Sequence, residues 1–402
     1  MKITAFETIR LGEFPNLVWL QIHTDEGLVG LGETFFGPEA AAAFIHESAA
    51  PRLLGKDPLQ IDRHSKALIH DYYLGFSSSG AEMRGASAID IALWDIFGQA
   101  AGLPIHTMLG GLSRDKVRTY NTCAGYRYVR GNEGQLTDNW GLDSKLGPYE
   151  DLDAFLHAAD ELAHSLLEQG ITGMKIWPFD FAAERTQGLY YTDDELRTAL
   201  EPFEKIRKAV GSKMDIMVEF HSLWGLTAAK RLHQAIEPYQ PFWYEDPIKM
   251  VNFDALAEVA RSTRVPITAS ETVAGRPAFL EMMRKHAVGI VMLDLSWVGG
   301  ISEAKKIATM AEAFQLPVAP HDCTGPVVYT ASCHLSLNAP NALIQESVRA
   351  FYTGWYKELM TELPRMENGF ILPMQGPGLG TKLLPDVVKR KDATVRRTEA
   401  KS

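Results

Sequence analysis

Residues 215–246 read DIMVEFHSLWGLTAAKRLHQAIEPYQPFWYED, an apolar run, an amphipathic run and a second apolar run. Residues 215–220 are short, rich in β-formers and followed by polar residues, the pattern of a buried strand. Residues 226–236 carry apolar side chains at helical spacing, and 242–245 repeat the strand pattern. Strand, helix and strand in this order call for a right-handed crossover and a parallel sheet. The unit recurs outward from here in both directions. Strands are expected at 117–124, 173–179, 215–220, 242–245, 267–270, 289–294, 317–320 and 342–345, with amphipathic helices at 194–210, 226–236, 253–262, 277–285 and 302–314. Eight parallel strands close most naturally into an α/β barrel whose functional groups gather at the carboxyl ends of the strands. An open doubly wound sheet is the alternative, but no GxGxxG follows the first strand.

The first hundred residues read differently. Residues 17–24 alternate, Asp25-Glu26-Gly27 is a turn signal, and 28–34 resume the strand, so a hairpin is expected. Helical stretches follow, the last from about Ala86 with Ala88, Ile91, Ala92, Trp94 and Ile96 on its apolar side, stopped by Gly102-Leu103-Pro104. We therefore expect an N-terminal α+β capping domain (1–112), a barrel (113–365) and a C-terminal segment (366–402) packing back on the cap. The aperiodic stretch 126–149 reads as a lid or binding loop. The basic run after Pro385, with Lys389, Arg390, Lys391, Arg396, Arg397 and Lys401, reads as a solvated, mobile terminus rather than a nucleic-acid patch.

Composition narrows the function classes. Of 402 residues, 46% are apolar and 22% charged, enough for a large core and against disorder or a coiled coil. The apolar run at 288–295 is far shorter than the roughly 20 residues a membrane helix needs. Residues 1–12 lack a basic start followed by an apolar stretch, so a soluble, cytoplasmic protein without a membrane partner is expected. Three cysteines without CxxC spacing fit a reducing compartment. A net charge of −10 disfavours nucleic acid.

Acids and histidines recur at the ends of the expected strands. Glu219, Glu245 and Glu271 are spaced by 26 residues, one strand-and-helix unit each, so a closed barrel brings all three to one rim. Three adjacent carboxylates repel unless a cation neutralises them, and hard divalent cations such as Mg²⁺ take oxygen ligands. Asp294 and His321 extend the ladder, 27 residues apart, and a histidine beside a carboxylate is held in one tautomer, as a general base requires. Glu346 follows 25 residues on, able to donate a hydrogen bond if protonated or to orient a neighbour. Lys175 lies in the second strand. His221 follows Glu219 by two, so both side chains share a face of an extended segment; His221 is then an acid beside the metal, itself a ligand, or an exposed loop histidine. Such a rim suits removal of a proton next to a carboxylate, with the enediolate stabilised by the metal and by fixed donors.

ASAIDIALWDIFGQAAGLPIHTMLGG (86–111), GMKIW (173–177), VEFH (218–221), YEDP (244–247), ASET (269–272), MLDLSWVGG (292–300), APHDCTGP (319–326) and QES (345–347) together resemble the mandelate racemase subgroup of the enolase superfamily over almost the whole chain. The resemblance implies a (β/α)7β modified TIM barrel under the α+β cap, with Mg²⁺ on Glu219, Glu245 and Glu271. It further implies His321 as base, Asp294 as its partner, and Glu346 near the substrate carboxylate or the enediolate. Specificity would come from cap loops at 13–17 and 72–83, where GFSSSG (75–80) has the freedom a closing loop needs.

Departures from the subgroup narrow the chemistry. Racemases of this type carry Lys-x-Lys on the second strand, and the second lysine is Trp177 here, which removes a base from the opposite face. Glu-Phe-His at 219–221 resembles the Asp-x-His of sugar-acid dehydratases acting on galactonate or mannonate, in which that histidine expels the 3-hydroxyl. The expectation is a carbon–oxygen hydro-lyase that converts an aldonate, of galactonate, mannonate or gluconate type, to a 2-keto-3-deoxy acid. Lys175 would help bind the carboxylate, or serve as a salt-bridged strand lysine. Arg84, Tyr126, Arg127, Trp224 and Trp297 are either substrate contacts or packing residues. An epimerase or lactone cycloisomerase of the same superfamily is the alternative, and a non-catalytic binding barrel a further one. A metal-dependent hydrolase would want His-x-His on the first strand, and 120–123 has none. The resemblance also implies a homo-oligomer.

Overall fold

The computed structural model describes residues 1–69, 79–142 and 147–400. The chain opens with an antiparallel meander of β1 (Ile3–Leu11), β2 (Leu17–Thr24) and β3 (Val29–Phe35). The expected hairpin turn is present, with Gly27 at φ +80° and the Leu28 amide bonded to Thr24 Oγ1. The helix Ala81–Ala101 lies across β3, and two glycines set how close it comes. A Cβ on Gly30 would meet the Ala92 carbonyl oxygen at 2.1 Å, and one on Gly32 the Ala88 oxygen at 1.9 Å. That helix stops where expected, with Gly102 left-handed at φ 70°. Among the described residues, no helix is long and apolar enough to cross a membrane.

Eight strands follow: β4 (Val117–Thr122), β5 (Gly173–Ile176), β6 (Asp215–Glu219), β7 (Trp243–Glu245), β8 (Ile267–Ala269), β9 (Ile290–Leu293), β10 (Val318–Pro320) and β11 (Gln345–Ser347). Every ladder from β4 to β10 is parallel. β11 pairs with β4, and a parallel bridge from Val318 to Ala342 joins the last turn of the ring. The fold is thus the α/β barrel with an N-terminal cap. The last strand lies later than the expected 342–345: its ladder with β4 starts at Gln345, so Glu346 sits inside the strand rather than beyond its end.

The barrel interior is layered by the two-residue period of the strands. Met217, Trp243, Met292, Ala319 and Ile344 each lie two residues before a rim residue, and with Tyr120 and Ile290 they form a separate buried apolar cluster. This plug closes the space beneath the polar rim. Outside, helices such as Asp193–Val210, started by a Thr192–Glu195 capping box, bury one face against the strands.

The C-terminal segment pairs with strands of both the barrel and the cap. β12 (Met366–Glu367) and β13 (Phe370–Ile371) form a small hairpin that pairs with the start of β4. Of the basic run expected as a mobile terminus, Lys401 lies outside the described residues, and Arg396 and Arg397 lie in β14 (Ala393–Glu399), which pairs along β1 from Leu11↔Ala393 to Ala5↔Glu399. Its side chains are largely exposed, as their charge implies. The backbone nevertheless satisfies the open edge of the cap sheet, a demand that charge patterning does not display.

Candidate active site

Glu219 and Glu245 are the last residues of β6 and β7 and face each other directly in the parallel register; Glu271 lies just past β8. All three are buried, and one carboxylate oxygen from each lies within 4.8 Å of the other two. The neighbouring groups fix the carboxylates from behind. Amides of Phe220 and His221 donate to Glu219 Oε1 at 2.9 and 2.6 Å, and the Trp243 indole donates to Glu245 Oε2 at 2.9 Å. His221 reaches this geometry at φ 48°, in the left-handed region. Burial pushes Glu219 up to about 7, and burial with the adjacent Glu219 pushes Glu245 further. Three buried, clustered hard oxygen donors fit a divalent cation of the Mg²⁺ class.

The chain supplies one cation of its own there. Lys175 Nζ lies 2.5 Å from Glu245 Oε1, 2.9 Å from Glu346 Oε1 and 3.3 Å from Glu219 Oε2. Burial opposes its charge, but these carboxylates outweigh it and hold the pKa well above the usual lysine value. Glu346 also takes a hydrogen bond from Thr122 Oγ1 and one from the Asp322 amide at 2.7 Å. Burial alone would raise its pKa; Lys175 and His321 bring it below the ordinary carboxylate value, so it acts as an acceptor rather than as a protonated donor.

His321, just past β10, bridges two acids. Its Nδ1 is 2.7 Å from Asp294 Oδ2 and its Nε2 is 2.7 Å from Glu271 Oε2. Burial disfavours the imidazolium, but Glu271, Glu346 and Asp294 together raise the pKa well above its normal value. The same contact works on Glu271: burial would raise it, and His321 draws it down to about 2. The ring stacks on Trp297 at 5.7 Å, Trp297 stacks on Phe36 at 5.8 Å, and the Trp297 indole donates to the Phe35 carbonyl at 2.8 Å. The cap thereby reaches the rim through aromatic contacts.

His221 forms a second dyad. Its Nδ1 lies 2.6 Å from Oδ2 of buried Asp180, at the start of the helix Asp180–Thr186, and its ring packs edge-on against Trp177 at 5.7 Å. Burial opposes its charge and Asp180 favours it, with the balance upward. Lys175, His221, Glu271 and His321 line one small cavity with Trp177, Trp297, Phe35, Phe36, Thr122 and Cys323. Tyr128, Val129 and Gln135 complete it, so the loop expected at 126–149 does reach the site; Asn16 ties it to the first cap turn by donating to the Val129 carbonyl.

The structure thus gathers Lys175, Glu219, His221, Glu245, Glu271, Asp294, His321 and Glu346. Of the five residues left open between substrate contact and packing, Trp297 lines the cavity, Arg84 lies over the Trp297 ring at 5.5 Å, Trp224 packs against Tyr191 outside the site, and Arg127 is exposed and outside the cavity lining. Tyr126 bonds to Glu358, away from the cavity lining. Within the cap loop expected at 72–83, residues 72–78 lie outside the described residues, as does most of GFSSSG. Asp180 was missed. It stands four residues beyond the end of β5, where no periodicity marks a single acid, and only its contact with His221 reveals it.

Residues 4–110 match the N-terminal domain of the mandelate racemase/muconate lactonizing enzyme family, and residues 157–387 match the enolase C-terminal domain-like family. The chain belongs to the mandelate racemase/muconate lactonizing enzyme family. Relatives of this family member include the D-galactonate dehydratase of Pectobacterium atrosepticum, 31% identical over 399 residues that cover 96% of this chain and 94% of the relative. The D-galactonate dehydratase of Ralstonia pickettii is 31% identical over 394 residues, 95% of this chain and 92% of that one. Among solved structures, an enolase of the mandelate racemase subgroup from Agrobacterium tumefaciens is 55% identical with a TM-score of 0.88, covering 100% of this chain and 99% of the other. An enolase protein from Sargasso Sea environmental sequencing is 44% identical, with a TM-score of 0.88 and full coverage of both chains.

Proposed function

We propose that this family member is a Mg²⁺-dependent sugar-acid dehydratase, a carbon–oxygen hydro-lyase acting on an aldonate. The observation that carries the reading is the pair of histidines, His321 and His221, lining one cavity beside the three-glutamate cluster. The D-galactonate dehydratases among its relatives support the same class. Glu219, Glu245 and Glu271 would hold the ion. Bound there, Mg²⁺ would supply positive charge for the substrate carboxylate and compete with His321 for the charge of Glu271.

The side chains divide the remaining work. His321, oriented by Asp294 through Nδ1, takes the C2 proton at Nε2. Lys175 and Glu346 sit where the carboxylate end of the substrate would lie, the lysine pairing with its charge and the glutamate aligning the lysine. His221 delivers a proton to the C3 hydroxyl as the C–O bond breaks, giving water and an enol that tautomerises to a 2-keto-3-deoxy acid. Trp177 leaves no second base in that strand, which favours elimination over two-face racemisation. The aromatic walls exclude water from the reacting carbons. Assembly into a homo-oligomer and residence in the cytoplasm belong to the same reading.

A panel of aldonates, aldarates and their lactones with Mg²⁺, assayed for 2-keto-3-deoxy acid, tests the proposal. Formation of that product from an aldonate is expected. Exchange of the C2 hydrogen without it, or lactone opening alone, would replace the dehydratase with an epimerase or cycloisomerase.

A further inference from the structure

The two histidines of the cavity are held alike. His321 has Asp294 on Nδ1 at 2.7 Å; His221 has Asp180 on Nδ1 at 2.6 Å, and Asp180 and Asp294 are both buried. A buried carboxylate on one imidazole nitrogen fixes the tautomer and the ring plane and turns the other nitrogen outward. Asp294 does this for the base. Nothing in the position of Asp180 requires it for the ion, since it approaches from the helix after β5, contacts His221 Nδ1 and is not one of the three clustered glutamates.

We propose that Asp180 is the positioning residue of the acid step: it holds the Nδ1 proton of His221 so that Nε2 faces the C3 hydroxyl. The inference rests on the dehydratase reading above. In the step, His321 Nε2 gains the C2 proton, the C2–H pair becomes the C2–C3 double bond, and the C3–O pair leaves with the oxygen. The proton from His221 Nε2 completes the water. Asp180 gains and loses nothing. The bland alternative is that the Asp180–His221 contact merely ties the helix Asp180–Thr186 to the end of β6. The two differ in what a conservative substitution does to separate steps of the reaction.

The test uses the full-length protein with Mg²⁺ in D₂O, with D-galactonate as the first probe and the rest of the aldonate panel after it. In D180N, elimination should fall by about 10- to 100-fold, while C2 deuterium exchange catalysed by His321 persists near the wild-type rate. H221N should lose elimination likewise, and the double variant should be no slower than H221N alone, because Asp180 acts through His221. Independently of any substrate, the downfield imidazole N–H resonance of the Asp180 contact should disappear in both single variants. Should D180N not fold, the same partition is read in Asp180→Ala, with formate expected to restore elimination. Equal loss of exchange and elimination, wild-type elimination in D180N, or an additive double variant would overturn the assignment. Failure of the wild-type protein to dehydrate any sugar acid would instead sink the dehydratase reading, with the resonance still reporting on the pair.

Discussion

The ammonium of Lys175 lies 2.5 Å from a carboxylate oxygen of Glu245, in the middle of the acids that would hold a dication. It also contacts Glu219 and Glu346, so the lysine offsets part of the charge at the centre of the site. Lys175→Met should lower the thermal midpoint of the metal-free protein, since breaking a buried ion pair costs about 3–5 kcal/mol. Mg²⁺ should then stabilise the variant more than the wild type, for which saturation at 100 times Kd contributes about 2.7 kcal/mol. Differential scanning calorimetry with and without Mg²⁺ reads both effects. An unchanged metal-free midpoint would show that the contact carries no stability.

Asp294→Asn leaves the shape of the dyad and removes its charge. His321 then loses the partner that selects its tautomer, and kcat should drop on the order of 10³-fold with KM little changed. Both C2 exchange and elimination should be lost together. That pattern separates Asp294 from Asp180 in the same assay.

Trp297 joins the cap to the base by stacking on His321 and donating to the Phe35 carbonyl. Trp297→Phe keeps the stack and deletes the hydrogen bond. We expect a loss of about 1 kcal/mol in unfolding free energy and a raised KM, because Phe35 and Phe36 lose one fixed point over the cavity. A variant with unchanged KM would remove the cap contact from the binding role.

Glu33 is a buried carboxylate of β3 that accepts the Val328 amide at 3.0 Å, at the start of the barrel helix Pro326–Asn338. Burial pushes its pKa from 4.5 up to about 8, against lowering by the Val328 and Val327 amides and the Trp19 indole, and with Asp294 adding repulsion. Tyr356 also faces it. The sign follows from proton binding: between about 4.5 and 8 the folded state holds a proton that the unfolded chain has released. Stability from this group is therefore complete below 4.5 and is lost as the pH rises towards 8. Glu33→Gln should flatten the decline of Tm across that window, as followed by circular dichroism. A slope identical to that of the wild type would assign the dependence to other groups.

Spacing carried the barrel. Apolar runs at one-unit intervals with a polar residue at each end announce parallel strands, and the 26-residue recurrence of Glu219, Glu245 and Glu271 follows from the length of a strand, a helix and two short loops. Because rim residues come from equivalent positions in successive units, a periodic chain declares them in one dimension. The closing strand was read three residues early, since the apolar run before it, Ala342–Leu343–Ile344, holds only a bridge to Val318 while the ladder begins at Gln345.

Contacts that join different units left no such mark. The edge pairing of β14 with β1 spans almost the whole chain, and its basic side chains describe solvent exposure but not the backbone bonds beneath them. Asp180 sits outside the repeat and acquires meaning only when the helix after β5 swings its carboxylate onto His221. Local periodicity records which face of an element is buried. Which two faces then meet is settled by packing across the barrel, where Lys175 enters the acid cluster and Phe36 of the cap stacks on the barrel's Trp297, which in turn stacks on the base.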